Sequence, residues 1–128
     1  MARDQRRSHA LLARLTGERG EPFLPEVGQL YRVNTLIYGQ DKAAARPAVV
    51  VCVPPSQASK SPIRIVTRTS KPARGIKHPA GKSLNLDCDG TFSALVSVEQ
   101  QLWRPENVEL LGVLCEPYLN QVIERFYS

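Results

Sequence analysis

Arg46 stands directly before Pro47 and a continuous apolar run, Ala48-Val49-Val50-Val51-Cys52-Val53. A polar loop, Gly39 to Ala45, leads into it. This order puts one guanidinium at the mouth of a buried strand. A guanidinium is permanently charged, and its planar donor fork matches a phosphate. Pro47 fixes the local backbone and biases Arg46 toward an extended conformation. Thr67 offers a hydroxyl near the end of a later strand pattern. If the two strands are neighbours, both groups converge on one phosphate. That is enough for RNA cleavage, because the ribose 2′-hydroxyl is a nucleophile carried by the substrate. The protein must then hold the phosphate in line and stabilise the charge that builds on it. The plainer readings are an ion pair of Arg46 with Asp41, and Thr67 as a β-branched strand residue.

Other chemistries lack their residues. The chain has no HExxH, no paired Cys/His spacing, no Walker-type glycine loop and no Gly-x-Ser-x-Gly elbow. His9 and His78 are far apart and have no metal-ligand company. The expectation is an activity that uses neither metal nor cofactor.

Charge is polarised along the chain. The net charge is +5, but residues 56–83 hold seven basic residues (Lys60, Arg64, Arg68, Lys71, Arg74, Lys77, Lys82) and no acid. Residues 84–128 hold seven acids against Arg104 and Arg125. A basic stretch without compensating acids suits a phosphate backbone. The alternative is a solvated loop that serves solubility. With 128 residues, 42% of them hydrophobic, the chain suits one compact domain. No apolar run approaches bilayer length, and the Arg-rich N-terminus lacks an apolar signal core. These features predict a cytoplasmic protein with no membrane partner. Cys52, Cys88 and Cys115 show no CxxC spacing, and the reading is buried, reduced thiols.

The elements that must position these residues follow from hydrophobic period and turn signals. Residues 1–27 read as an Arg-rich arm: a short helix carrying Leu11, Leu12 and Leu15, then a linker over 21–27 with Pro22 and Pro25. Residues 28–128 read as the folded domain. Leu30 to Ile37 predicts a first strand and Ala48–Val53 a central strand apolar on both faces. Ile63–Arg68 predicts a third strand, Leu84 and Leu86 a short fourth, and Ser93–Gln100 a fifth. Residues 69–83 read as a second basic loop. Val108–Leu114 is another short apolar piece. A helix starts near Pro117 and lines Leu119, Val122, Ile123 and Phe126 along one face. The fold class is mainly β with helices: a small, strongly bent sheet or partly open barrel closed by a C-terminal helix.

Several segments, in order, resemble the MazF/PemK family of toxin ribonucleases. Gly28-Gln29-Leu30-Tyr31-Arg32-Val33 is similar to the family's opening strand. Gly39 to Pro47 resembles its loop ending in Arg-Pro, and Ala48–Val53 the Val-rich strand that follows. Ile65-Val66-Thr67 resembles the end of the next strand. Ser93-Ala94-Leu95-Val96-Ser97-Val98-Glu99-Gln100 is similar to its Ser-Val-Val-x-x-Glu/Asp-Gln segment, and Glu109-Leu110-Leu111-Gly112 to its closing pattern. The resemblance covers roughly residues 28–126. It implies an SH3-like barrel, a homodimer, an antitoxin partner, and metal-independent endoribonuclease action on single-stranded RNA. It implies Arg46 as catalytic arginine, Thr67 as catalytic threonine with Thr69 as the neighbouring choice, and Glu99 as a proton-transfer group. Two departures stand out. The arm before residue 28 is not in the pattern, and Gln100-Gln101-Leu102-Trp103 replaces the usual Gln-Ile-Arg-Thr. Trp103 is read as packing against the terminal helix, with base stacking as the alternative.

The expected RNA groove runs between the Gly39–Ala45 loop, with Lys42, and the basic loop, with Arg68, Thr69, Lys71, Arg74, Lys77 and Lys82. The expected products are a 2′,3′-cyclic phosphate and a 5′-hydroxyl. The alternatives are a toxin of the same fold that poisons DNA gyrase by binding alone, and a barrel that binds nucleic acid without chemistry.

Overall fold

The computed structural model describes residues 20–34 and 45–127. Six strands form one antiparallel sheet: β1 (Gln29–Val33), β2 (Arg46–Cys52), β3 (Ile63–Thr69), β4 (Ile76–His78), β5 (Gly90–Val98) and β6 (Val108–Val113). Their spatial order is β4-β5-β3-β2-β1-β6. One helix, α1 (Tyr118–Phe126), follows β6. The chain is thus mainly β, a curled half-barrel with one C-terminal helix. Register shifts at Leu30/Tyr31, Val50/Cys52 and Thr67/Arg68 interrupt the ladders. Such bulges bend a strand and increase its twist, which curls the sheet.

Strand alternation sorts the core into two faces. Tyr31, Val33, Ala48, Val50, Ile63, Ile65 and Val98 lie on one, where Trp103, Phe23 and Leu24 cover them. Leu30, Val49, Val51, Val66 and Phe92 lie on the other, beneath Leu86 and α1. β2 is buried from Ala48 to Val51, as expected of a strand apolar on both faces. α1 applies Val122 fully, and Leu119, Ile123 and Phe126 in part, to the second face. Each large apolar side chain buried this way contributes about 1.5–3 kcal/mol. Among the described residues, no helix is long and apolar enough to cross a membrane.

Three elements and the cysteines differ from expectation. Ile76–His78, read as loop, is strand β4, with Lys77 paired to Thr91. The Leu84/Leu86 strand is instead a 3₁₀ turn over Lys82–Leu84, and Asn85 takes the left-handed conformation at φ 55°. That residue breaks the alternation, leaving one bridge between Gly81 and Leu86. Residues 20–27 are packed on the sheet, with Phe23 N–H donating to the Trp103 carbonyl at 3.1 Å. Cys52 is half-buried, while Cys88 and Cys115 are exposed, so the reading of buried thiols does not hold. The helix expected over the Leu11–Leu15 stretch lies outside the described residues, as do Leu36, Ile37, Asp41 and Lys42.

Candidate functional site

The strand ladders gather a polar row at one end of the sheet. Arg46, the first residue of β2, pairs with Val33 of β1. On its other side Ala48 pairs with Thr67, and continuing that register by two residues sets Arg46 opposite Thr69. Thr69 pairs with Thr91 of β5, and Thr91 pairs with Lys77 of β4. Residues directly opposite across antiparallel strands share a face. Arg46, Thr69, Thr91 and Lys77 therefore stand side by side on the face that carries Ala48 and Ile65. Neighbouring strands are about 4.8 Å apart, so the row from Arg46 to Lys77 spans about 14 Å. Arg46 and Lys77 are exposed, Thr69 is half-buried and Thr91 is buried.

Thr69 and Thr67 are distinct in this geometry. Thr67 is buried, and its hydroxyl donates a long, 3.5 Å bond to the Ala94 carbonyl. Thr69 accepts the Lys71 backbone N–H at 3.1 Å. That bond fixes the hydroxyl oxygen and leaves its proton available to a phosphate. The same turn opens the loop that carries exposed Lys71 and Arg74 beside the row. Gly75 closes the loop at φ 150°, where a Cβ would collide with the Phe92 carbonyl. Only glycine lets the loop pass so near β5 and enter β4.

Three expected residues are elsewhere. Arg68 is 4% exposed and points to the opposite face, away from solvent. Its Nη2 donates to the carbonyls of His78, Pro79 and Cys88 at 3.0, 3.3 and 2.9 Å, and its Nε to His78 Nδ1 at 3.2 Å. Burial lowers its affinity for the proton, which the nearby Cys88 and Asp89 oppose. Arg68 is therefore a structural tie rather than an RNA contact. Lys82 sits on the turn beneath the second face, next to Leu84, whose side chain lies against Gly112.

Glu99 lies beyond the far end of β5, since Ile63 at the start of β3 pairs with Val98. Eight residues along β5 from Thr91 is roughly 25 Å. Glu99 accepts a bond from Gln101 at 2.9 Å and lines an open cleft of about 780 Å³ with Glu21, Gln57 and Lys60. It cannot serve a phosphate held at Arg46. Trp103 is wholly buried against Tyr31, ring centroids 5.1 Å apart, so it neither stacks a base nor packs on α1. Among the described residues, its indole N–H has no hydrogen-bond acceptor.

The row's cross-strand pairing is not visible to periodicity. Thr91 and Lys77 were missed as a unit because β4 is three residues long. The Asp89-Gly90 turn signal before β5 was the available clue to where that strand begins. Chemically, the row offers two exposed cations on either side of the half-buried Thr69 hydroxyl, groups that suit the phosphates of a nucleic-acid backbone, while Thr91 is as buried as Thr67. Among the described residues, no group of three His, Cys, Asp or Glu side chains is placed to hold a metal ion. A scan against protein-family models found no match to this chain, and a search of curated proteins found none.

Proposed function

We propose that this protein is a metal-independent endoribonuclease acting on single-stranded RNA, with Arg46, Thr69 and Lys77 of this row as its phosphate site. The observation that carries the reading is the pairing of Ala48 with Thr67, which, continued by two residues, sets the exposed strand-mouth Arg46 opposite Thr69. Arg46 stabilises the charge that develops on the scissile phosphate. Thr69 donates a hydrogen bond from its hydroxyl to a second oxygen. Lys77, with Lys71 and Arg74, holds the strand. The attacking group is the ribose 2′-hydroxyl, so a metal-bound water is not needed. As the 2′-oxygen bonds to phosphorus the P–O5′ bond breaks, the 2′-hydroxyl proton leaves to solvent, and solvent returns one to the 5′-oxygen. Cleavage leaves a 2′,3′-cyclic phosphate and a 5′-hydroxyl.

The curled antiparallel sheet with a closing helix is compatible with the SH3-like barrel of MazF/PemK-type toxins. With the segment resemblance, it supports a cytoplasmic homodimeric toxin restrained by an antitoxin. The second reading, a barrel that binds nucleic acid without cutting, gains from Glu99, whose distance from the row removes the expected proton-transfer group. Incubating the purified chain with labelled RNA, and with DNA of the same sequence, in EDTA separates the readings. The nuclease cuts RNA alone and leaves cyclic-phosphate ends. Binding without cutting selects the second reading, and loss of cutting in EDTA rejects the proposed chemistry.

A further inference from the structure

The buried pair Arg68–His78 ties β4, and hence Lys77, to the rest of the sheet. β4 is an edge strand of three residues, too short to hold its place by ladder bonds alone. Arg68 reaches under it from β3 and donates to the backbone on both sides of the 79–88 segment. Gly90 leaves room for that side chain, because a Cβ there would lie 2.5 Å from Nη1. His78 completes the tie by accepting the Arg68 Nε–H on Nδ1, which places the proton of the neutral ring on Nε2. The ring is closed off from water by Phe92, at 5.4 Å, and by a perpendicular Tyr118 from α1, at 4.8 Å.

We propose that Arg68 and His78 form a proton-operated clamp, which holds β4 and Lys77 in the row while the imidazole is neutral and releases them when it is protonated. The clause about Lys77 rests on the RNA-binding reading above. A proton can enter only on Nδ1, the atom that accepts from Arg68. It would turn that acceptor into a donor facing a donor and set two cations together in a buried site. The groups that face the pair are Cys88 and Asp89 from the preceding loop, Tyr118 from α1 and the uncharged Phe92 from β5. Cys88 and Asp89 act on Arg68, and Asp89 also accepts the Ala80 N–H at 2.8 Å. Burial first, and the Arg68 charge second, hold the imidazole below its ordinary value of 6.5. Protonation therefore accompanies opening rather than preceding it.

The test is amide hydrogen exchange across residues 76–78 of the full chain from pH 8 to pH 5, corrected for intrinsic rates. Protection should be level above pH about 6.5 and fall by up to about tenfold per pH unit below it. His78→Asn keeps an acceptor for Arg68 but cannot titrate, so its protection should stay level. A level profile in the wild type, or an equal fall in the variant, overturns the clamp. Should His78→Asn fail to fold, Arg68→Lys serves, since it keeps the charge without the fork and should leave β4 unprotected at every pH. Continued protection in that variant also overturns it. A labelled RNA at fixed salt provides the second arm. Wild-type affinity should fall roughly tenfold over the same window, the loss of one charge-assisted contact, while that of His78→Asn holds. Complete loss of protection at residues 76–78, which marks β4 as mostly open, without loss of affinity refutes the link to Lys77. No RNA binding at any pH counts against the ribonuclease reading and leaves exchange to decide the clamp.

Discussion

Thr69 and Thr67 differ by one strand period, and in the proposed function that difference decides which hydroxyl shares a phosphate with Arg46. Both lie on the same face, so alternation cannot separate them. Register does, because Thr67 is opposite Ala48. Thr69→Val should therefore slow RNA cleavage roughly tenfold to a hundredfold, the worth of a hydrogen bond to a charged group. Thr67→Val removes only a long bond to Ala94 and should leave the rate near that of the wild type. Glu99→Gln should also change little. Single-turnover rates on one labelled RNA compare the three, and a silent Thr69→Val beside an inactive Thr67→Val would reverse the assignment. The sequence identified Arg46 as a strand-mouth arginine without help. It misplaced Arg68 because alternation says that neighbours face opposite ways but not which way is out. Ile63, Ile65 and Thr67 point to one face, so Arg68 falls on the other, under α1 and the 79–86 turn.

In the proposed function, the loop between β3 and β4 is the element that turns local charge into a binding surface. Lys71, Arg74 and Lys77 are exposed on it or just after it. Each phosphate contact to a single strand contributes about 0.7 to the slope of log affinity against log salt. Replacing all three with Gln should flatten that slope by about two units, while neutralising Glu106 and Glu109 should not weaken binding. Titrations at several salt concentrations measure this, and an unchanged slope would make the loop a solubility feature. Gly75→Ala should cost about 1–3 kcal/mol in a urea melt, because the loop must back away from the Phe92 carbonyl. The long β-branched strands were legible in the sequence because they are buried on one or both faces. β4 was not, since three residues between Gly75 and Pro79 carry too little period. The Lys82–Leu84 turn mimicked a strand through Leu84 and Leu86, an alternation that the left-handed Asn85 interrupts.

At the scale of the molecule, the two core faces carry different tasks. One holds the row above a core closed by Trp103, Tyr31 and residues 20–27. The other holds α1 and the Arg68–His78 pair. Folding keeps the His78 imidazole below its unfolded value, so the unfolded chain binds the extra proton first. Stability should then be level above pH about 6.5 and decline as pH falls through the window beneath it. Urea midpoints at pH 7.5 and 5.5 check the sign, and a midpoint that rises on acidification would contradict it. The central claim is that Arg46 acts on the phosphate and not on the fold. Its side chain is exposed at a strand mouth, so the sheet should survive its loss. The most direct measurement is single-turnover cleavage of a labelled RNA, in EDTA, by the wild type and by Arg46→Ala of matching urea midpoint. The expected result is a cut RNA with cyclic-phosphate ends for the wild type and a rate lower by about a hundredfold to a thousandfold for the variant. Equal rates from two equally stable proteins would contradict it.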